Sequence, residues 1–374
     1  MKVLHLHKLT GVSGSEGHLL ALLPALRERG IDARFLGLDV PGSDAPRFYE
    51  ALDVLGVPYR HVRCGSDVSP RMARDVIRAV RAERPDLLHT HLVHADTYGA
   101  VAAKALGLPA VSTRHNDDRY LLGPFRYVDR ALARVDHRLI AISDAVRRFL
   151  EVAGHDPAKL LTIRYGLDEL PPARSEPTPA AAGIPADAPL ALAVGRLIEQ
   201  KDHATLLRAF ALVRRAVPQA RLAILGSGPL EAVTRGLVKE LELEDAVALP
   251  GRTAIRDWLE RADVFVHTSR WEGFGIVLLE AMLASLPVVA TRVSAVPEVV
   301  ADGETGLLVE AGDFAGLATA LETLLTDRKR ASALGEAGRR RALEEFSVAR
   351  MAERTHAVYE EALGVSSPAT VATR

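Results

Sequence analysis

Two successive runs of short apolar strands alternating with helical patterns constrain this chain more than any other feature. Strands joined by helices pair in parallel, with the helices covering the sheet. Residues 3–9 read as a buried strand, followed by a glycine-rich loop, Thr10-Gly11-Val12-Ser13-Gly14-Ser15-Glu16-Gly17. A helix then carries apolar residues at Leu19, Leu20, Leu22, Leu23 and Leu26 and stops at Gly30, ahead of a strand at 33–38. Further strands are expected at 87–90, 110–113, 138–142 and 161–164, with helices at 72–83, 97–106 and 145–152. Residues 171–189 hold six prolines and few large apolar groups, which marks a boundary. Beyond it, strands at 190–194, 221–225, 247–249, 263–267, 287–290 and 307–309 again alternate with helices. The sequence therefore predicts two doubly wound α/β domains, 1–170 and 190–345, joined by a Pro/Ala-rich linker at 171–189. Ligands of such sheets bind at the strand ends, so a cleft between the domains is the expected site. A closing segment, 346–374, is expected to form a helix at 348–363 that packs back on the first domain, ahead of a frayed tail.

At 374 residues, 48% apolar and 25% charged, the chain has the composition of an ordinary globular protein of two domains. A net charge of −1 argues against a dedicated nucleic-acid binder. With the single Cys64 no intrachain disulfide can form, and that residue reads as a plain thiol. The N-terminus reads as a first strand rather than a signal peptide, and no long uncharged apolar run suggests a membrane span. A cytoplasmic location is expected. Arg71, Arg74, Arg78 and Arg81 share one helical face, read either as solvated or as a patch for peripheral contact with anionic lipid.

The chemistry concentrates in Ser269-Arg270-Trp271-Glu272-Gly273-Phe274-Gly275-Ile276-Val277-Leu278-Leu279-Glu280-Ala281, which reads as strand end, tight glycine turn and helix. A helix N-terminus offers unpaired N–H groups and a positive dipole end, suited to phosphate. Gly273 and Gly275 let a ligand approach the backbone, and Glu272 and Glu280 bracket the turn. Strand 190–194 ends in Gly195-Arg196-Leu197-Ile198-Glu199-Gln200-Lys201. There Arg196 can fork onto phosphate oxygens and Lys201 can act as a point charge. Taken singly, each pair is equally readable as surface charge. The Gly11–Gly17 loop has the spacing G-x-x-G-x-x-G, not the G-x-G-x-x-G of a dinucleotide site, which weakens a nicotinamide reading.

In order, Gly195-Arg196-Leu197 with Lys201, Gly226-Ser227-Gly228-Pro229, Glu272…Glu280, Pro287-Val288-Val289-Ala290 and Pro297-Glu298-Val299-Val300 resemble the retaining glycosyltransferases of family 4, with the GT-B fold. The resemblance covers nearly the whole second domain. It extends more loosely to the first through the Gly11–Gly17 loop, His89-Thr90-His91, Thr113–His115, Ser143 and Gly166–Asp168. It implies that Arg196 and Lys201 bind the donor diphosphate, that Glu280 holds the ribose hydroxyls and that Glu272 holds those of the transferred sugar. It implies that Gly273, Phe274, Gly275 and Ile276 present backbone N–H groups, with Gly226 and Gly14 also lining the donor site, and that His91 lies beside the sugar. It further implies a leaving phosphate that takes the acceptor proton, with no separate protein nucleophile. Cations and a helix end stabilise the departing charge without a metal, and Asp-x-Asp is absent. No metal or other cofactor is expected. His89 is expected on the sheet face opposite His91. Tyr165, Ser285 and Ser294-Ala295 depart from frequent family residues, at positions that bear on loop shape and sugar choice.

The expected activity is transfer of a hexose or N-acetylhexosamine from a UDP- or GDP-sugar. The acceptor would be a surface or lipid-linked glycan precursor or, alternatively, a small-molecule natural product, shaped by loops 42–48, 64–71 and 114–128. Alternatives of other classes are a nucleotide-sugar epimerase, a nicotinamide oxidoreductase and a silent binding protein.

Overall fold

The computed structural model describes residues 1–9, 14–64, 69–170 and 177–365. Residues 10–13 of the first glycine loop, part of the 64–71 loop, the start of the linker and the tail expected to fray lie outside them. Contacts divide the chain into two units, Met1–Gly166 with the segment from Ser347, and Leu167–Phe346.

The first unit runs β1 (Lys2–Leu9), α1 (Gly14–Glu28), β2 (Asp32–Asp39), α2 (Ala45–Val54) and β3 (Tyr59–Arg63). It continues through α3 (Pro70–Glu83), β4 (Leu87–His91), α4 (Val93–Leu106), β5 (Ala110–Arg114) and α5 (Arg126–Leu132). It closes with β6 (Asp136–Ala141), α6 (Asp144–Val152) and β7 (Leu160–Thr162). The parallel sheet has the order β3-β2-β1-β4-β5-β6-β7. The Ser143 hydroxyl accepts from Val146 N–H at 3.1 Å and starts α6. Alternate strand residues sort the core into two faces. Val3, Phe35, Leu87, Val111 and Ile140 pack under α1 and α2, while Leu4, Leu6, Leu36 and Leu88 pack under α3 and α4.

The second unit runs β8 (Leu190–Val194), α7 (His203–Ala216), β9 (Arg221–Leu225), α8 (Glu231–Glu240) and β10 (Val247–Gly251). Then come α9 (Arg256–Arg261), β11 (Val264–His267), α10 (Ile276–Leu283), β12 (Val288–Thr291), α11 (Val296–Val299) and β13 (Gly306–Val309). Helices α12 (Phe314–Thr326) and α13 (Arg328–Glu345) complete it. Its parallel sheet has the order β10-β9-β8-β11-β12-β13. The order turns back between β8 and β11, the two central strands, so the loops after them are neighbours at the carboxyl end of the sheet. The last helix, α14 (Val348–Leu363), belongs to the first unit and packs on α1, with Met351, Val358 and Tyr359 in the core.

Candidate active site

In the second unit the loops after β8 and β11 are tied together residue by residue. Arg270 N–H donates to the Gln200 carbonyl at 2.7 Å, and Gln200 Nε2 donates to the Trp271 carbonyl at 2.9 Å. Thr268 Oγ1 donates to the Lys201 carbonyl at 2.8 Å. Arg270 pairs with Asp202 at 3.2 Å and with Glu199 at 3.1 Å. Asp202 itself sits at φ 46° and caps α7 through Thr205. The glycines at 226 and 228 are explained by close packing of the neighbouring loop. A Cβ on Gly226, at φ 141°, would lie 1.9 Å from the Gly195 carbonyl oxygen, and one on Gly228 would lie 2.4 Å from that of Leu197.

This tie brings Lys201 and Glu272 together. Lys201 Nζ forms an ion pair with Glu272 Oε2. His267 Nε2 lies 2.9 Å and Ser269 Oγ 3.1 Å from that same oxygen. Burial by itself would raise the Glu272 carboxyl, but the Lys201 ammonium and the His267 ring hold it well below the usual carboxylate range. His267 is lowered, first by burial and then by Lys201, against the pull of Glu272. All the named partners fall on Oε2. Oε1 takes no hydrogen bond from a described residue.

Gly275, at φ 84°, turns the chain into α10, whose first N–H groups have no intrahelical acceptor. Phe274 is buried with its ring 5.8 Å from that of Phe346, so its side chain anchors the turn. Ile276 is half-buried beside it, and Gly273 is buried. Glu280 lies on α10 and is half-buried, and no described residue hydrogen-bonds its carboxylate. Burial pushes that carboxyl up to about 8. Arg196 is exposed and has no partner among the described residues. The loops after β8 and β11 thus carry a guanidinium without a partner among the described residues, a lysine held by a carboxylate and a helix N-terminus, and α10 adds a carboxylate without a donor among them. That set can receive an anion and hydroxyl groups.

In the first unit His91 is fully buried inside a hydrogen-bonded chain. His89 and His91 share one sheet face, with ring centroids 4.2 Å apart, because residues two apart on a strand point the same way. The expectation of opposite faces misapplied that alternation. His5 and His7 on β1 stand beside them in register. The chain runs from Thr113 Oγ1 to His89 Nε2 at 2.7 Å, and from His89 Nδ1 to the Tyr359 hydroxyl at 2.6 Å. It passes to His5 Nε2 at 3.3 Å, from His5 Nδ1 to His91 Nε2 at 3.0 Å, and from His91 Nδ1 to His115 Nε2 at 3.1 Å. It ends from His115 Nδ1 on the Tyr165 hydroxyl. Burial lowers His89, His91 and His115 well below their ordinary value and takes His5 to about 3. Each neutral ring has one donor and one acceptor, so the chain runs with a single polarity. His91 has no exposed surface, and both its ring nitrogens lie within hydrogen-bond distance of neighbouring imidazoles. Gly14 opens α1, whose Glu16 lies 3.3 Å from His7 Nε2.

Among the described residues, His5, His89 and His91 form the one group placed to converge on a metal. The His5 and His91 rings are 12° from parallel with facing nitrogens 3.0 Å apart. That separation is the length of a hydrogen bond between a donor and an acceptor imidazole nitrogen. Three residues of these networks, His267, His5 and Tyr359, were not among the expected site residues. The first lies five residues before Glu272 on the same turn, and His5-x-His7 repeats the spacing of His89-x-His91, a legible sign of a shared face.

Comparison with known proteins follows the same division. Residues 12–169 match the family described as Glycosyltransferase Family 4, and residues 175–341 match Glycosyl transferases group 1. The chain is 32% identical to the alpha-maltose-1-phosphate synthase of Mycolicibacterium smegmatis over 78% of its own length and 82% of that protein. It is 30% identical to the D-inositol 3-phosphate glycosyltransferase of Kineococcus radiotolerans, over 94% and 91%. In fold it is similar to HepE of Anabaena, solved in complex with UDP and glucose, with a TM-score of 0.83 at 23% identity, over 96% of this chain and 100% of that one.

Proposed function

The chain belongs to the family 4 glycosyltransferases, of GT-B fold, and we propose that it moves a hexose or N-acetylhexosamine from a UDP- or GDP-sugar to an acceptor hydroxyl with retention of configuration. The observation that carries this is the second unit's arrangement. Among the described residues Arg196 has no side-chain partner and the Glu280 carboxylate, on α10, has no donor, while Lys201 is held at Glu272. Departure of a nucleoside diphosphate builds charge on its terminal phosphate. Arg196, Lys201 and the helix end are cations and dipoles fixed in advance for that charge, so they favour the transition state over the ground state. In this reading they do the work that a metal does elsewhere. Glu280 accepts from the two ribose hydroxyls. Glu272 keeps Oε2 on Lys201 and offers Oε1 to the sugar. Activity is expected on the cytoplasmic side, where nucleotide-sugars are made.

For the acceptor, a glycan or lipid-linked glycan precursor remains the reading. A second reading, a small phosphorylated sugar or cyclitol, is favoured by the names of the two relatives above. Incubation with UDP-glucose, UDP-N-acetylglucosamine and GDP-mannose, followed by proton NMR, tests the chemistry through slow donor hydrolysis even without the acceptor. Release of the nucleoside diphosphate with a sugar first formed as the α-anomer supports the proposal. A β-anomer first product, or epimerised donor without release, overturns it.

A further inference from the structure

Helix α5 is inverted. Of its seven residues the buried one is Asp129, while Tyr127 and Val128 face outward. The cause is local. Asp129 accepts from Arg114 Nη1 at 2.9 Å and lies 2.8 Å from His155 Nε2, so a polar anchor sets the helix orientation and turns the apolar residues away from the core. The segment before α5 continues the pattern. Tyr120, Leu122, Phe125, Tyr127 and Val128 are 38–60% exposed, and the Tyr120 and Phe125 rings are 5.7 Å apart. No other stretch of nine described residues exposes as many large apolar side chains. Single exposed apolar residues are ordinary; a cluster of aromatics marks a contact surface.

The surroundings say what kind. Helix α5 packs on α4, and α4 packs on α3, all in the first unit. The exposed face of α3 carries Arg71, Arg74, Arg78 and Arg81, and α4 adds Lys104. Arg130 and Arg134 flank the apolar cluster, and Arg126 lies 4.9 Å over the Tyr127 ring. Asp75 is the only acid on the outer side of α3. A chain of net charge −1 therefore has one helical layer that is both basic and studded with aromatics. Rings that bury a few ångströms into a headgroup region, beside arginines that pair with anionic lipid, are the requirements for peripheral membrane attachment.

We propose that this α3–α4–α5 layer docks on an anionic lipid bilayer, with the 120–128 segment entering the interface and the α3 arginines supplying the attraction. The proposal stands apart from the donor chemistry. The test is co-sedimentation of the full chain with vesicles of phosphatidylcholine alone and of phosphatidylcholine mixed with phosphatidylglycerol. Binding is expected to the mixed vesicles only, falling as salt is raised. Phe125→Ser with Tyr127→Ser should weaken it at least tenfold, and Arg74→Ala with Arg78→Ala by about thirtyfold, from ~1 kcal/mol per basic residue. Thermal stabilisation by UDP and elution as a monomer or oligomer should be unchanged in both variants. The proposal is overturned if wild type stays in the supernatant with mixed vesicles or if the Phe125/Tyr127 variant sediments like wild type. It is equally overturned if that variant changes the oligomeric state, which would make the patch an interface between copies of this chain.

Discussion

Lys201 and Glu272 were expected to serve different parts of a donor, one the phosphates and the other the sugar. They meet in an ion pair with His267 and Ser269 on the same carboxylate oxygen. That contact changes what mutation should do. Lys201→Ala should lower kcat/KM by about 10²–10³, the cost of one preorganised donor to developing charge. It should also lower stability by about 1–3 kcal/mol, because it strips a nearly buried carboxylate of its main partner. Adding Glu272→Gln should recover most of the stability in urea unfolding without recovering the rate. A single variant as stable as wild type would show that the pair is not formed in solution. The sequence carried the identities of these residues, since glycine turns and charges are local signals. It could not carry their pairing, which depends on a crossing of two loops 71 residues apart. The surroundings of His91 were hidden for a related reason. A histidine at a strand end is visible in sequence, but its place in a buried chain that runs through His5 and His89 to Tyr359, 270 residues from His89, is not.

At the scale of elements, the periodic strands and helices were legible, while the edge strand β3 and the inverted helix α5 were not. Strand β3 is a partly exposed edge strand, Tyr-Arg-His-Val-Arg, without the apolar run that marked its neighbours. Helix α5 hides an acid instead of an apolar stripe, so no helical period could show it. The buried histidines of β1, α1 and β4, with His115 just after β5, carry a consequence for pH. Buried His5 and His18 are lowered to about 3, and His89, His91 and His115 lie well below their ordinary value, by burial first and by one another's charge second. Unfolded histidines bind protons from about pH 6.5 downward, so the unfolded state takes up more protons and stability falls with pH across that window. Each histidine contributes up to ~1.4 kcal/mol per pH unit there. Both tryptophans, Trp258 and Trp271, lie in the second unit. On acidification, loss of far-UV circular dichroism should therefore begin above the pH at which tryptophan fluorescence changes. Coincident transitions would contradict a first unit held by neutral imidazoles. Tyr359→Phe should move the first transition to higher pH, since it leaves two buried ring nitrogens unpaired at about 1–3 kcal/mol.

For the molecule as a whole, two parallel sheets came through from the alternation of strand and helix, and the family from motifs ordered along the second unit. The acceptor did not, because the loops expected to shape its site carry no period to read. The central claim is that the second unit receives a nucleoside diphosphate, with Glu280 taking the ribose hydroxyls. Two hydroxyl donors favour the ionised carboxylate, so binding must release a proton wherever the free carboxyl is protonated. The direct measurement is calorimetric titration of wild type and Glu280→Gln with UDP, GDP, ADP and NAD across pH 6 to 9. The account predicts that UDP or GDP binds wild type, and that affinity climbs toward pH 8, where burial has placed the Glu280 carboxyl, and then levels. The variant should bind more weakly, without that rise. Binding of NAD but of no nucleoside diphosphate, or equal affinity in both proteins at every pH, would contradict it.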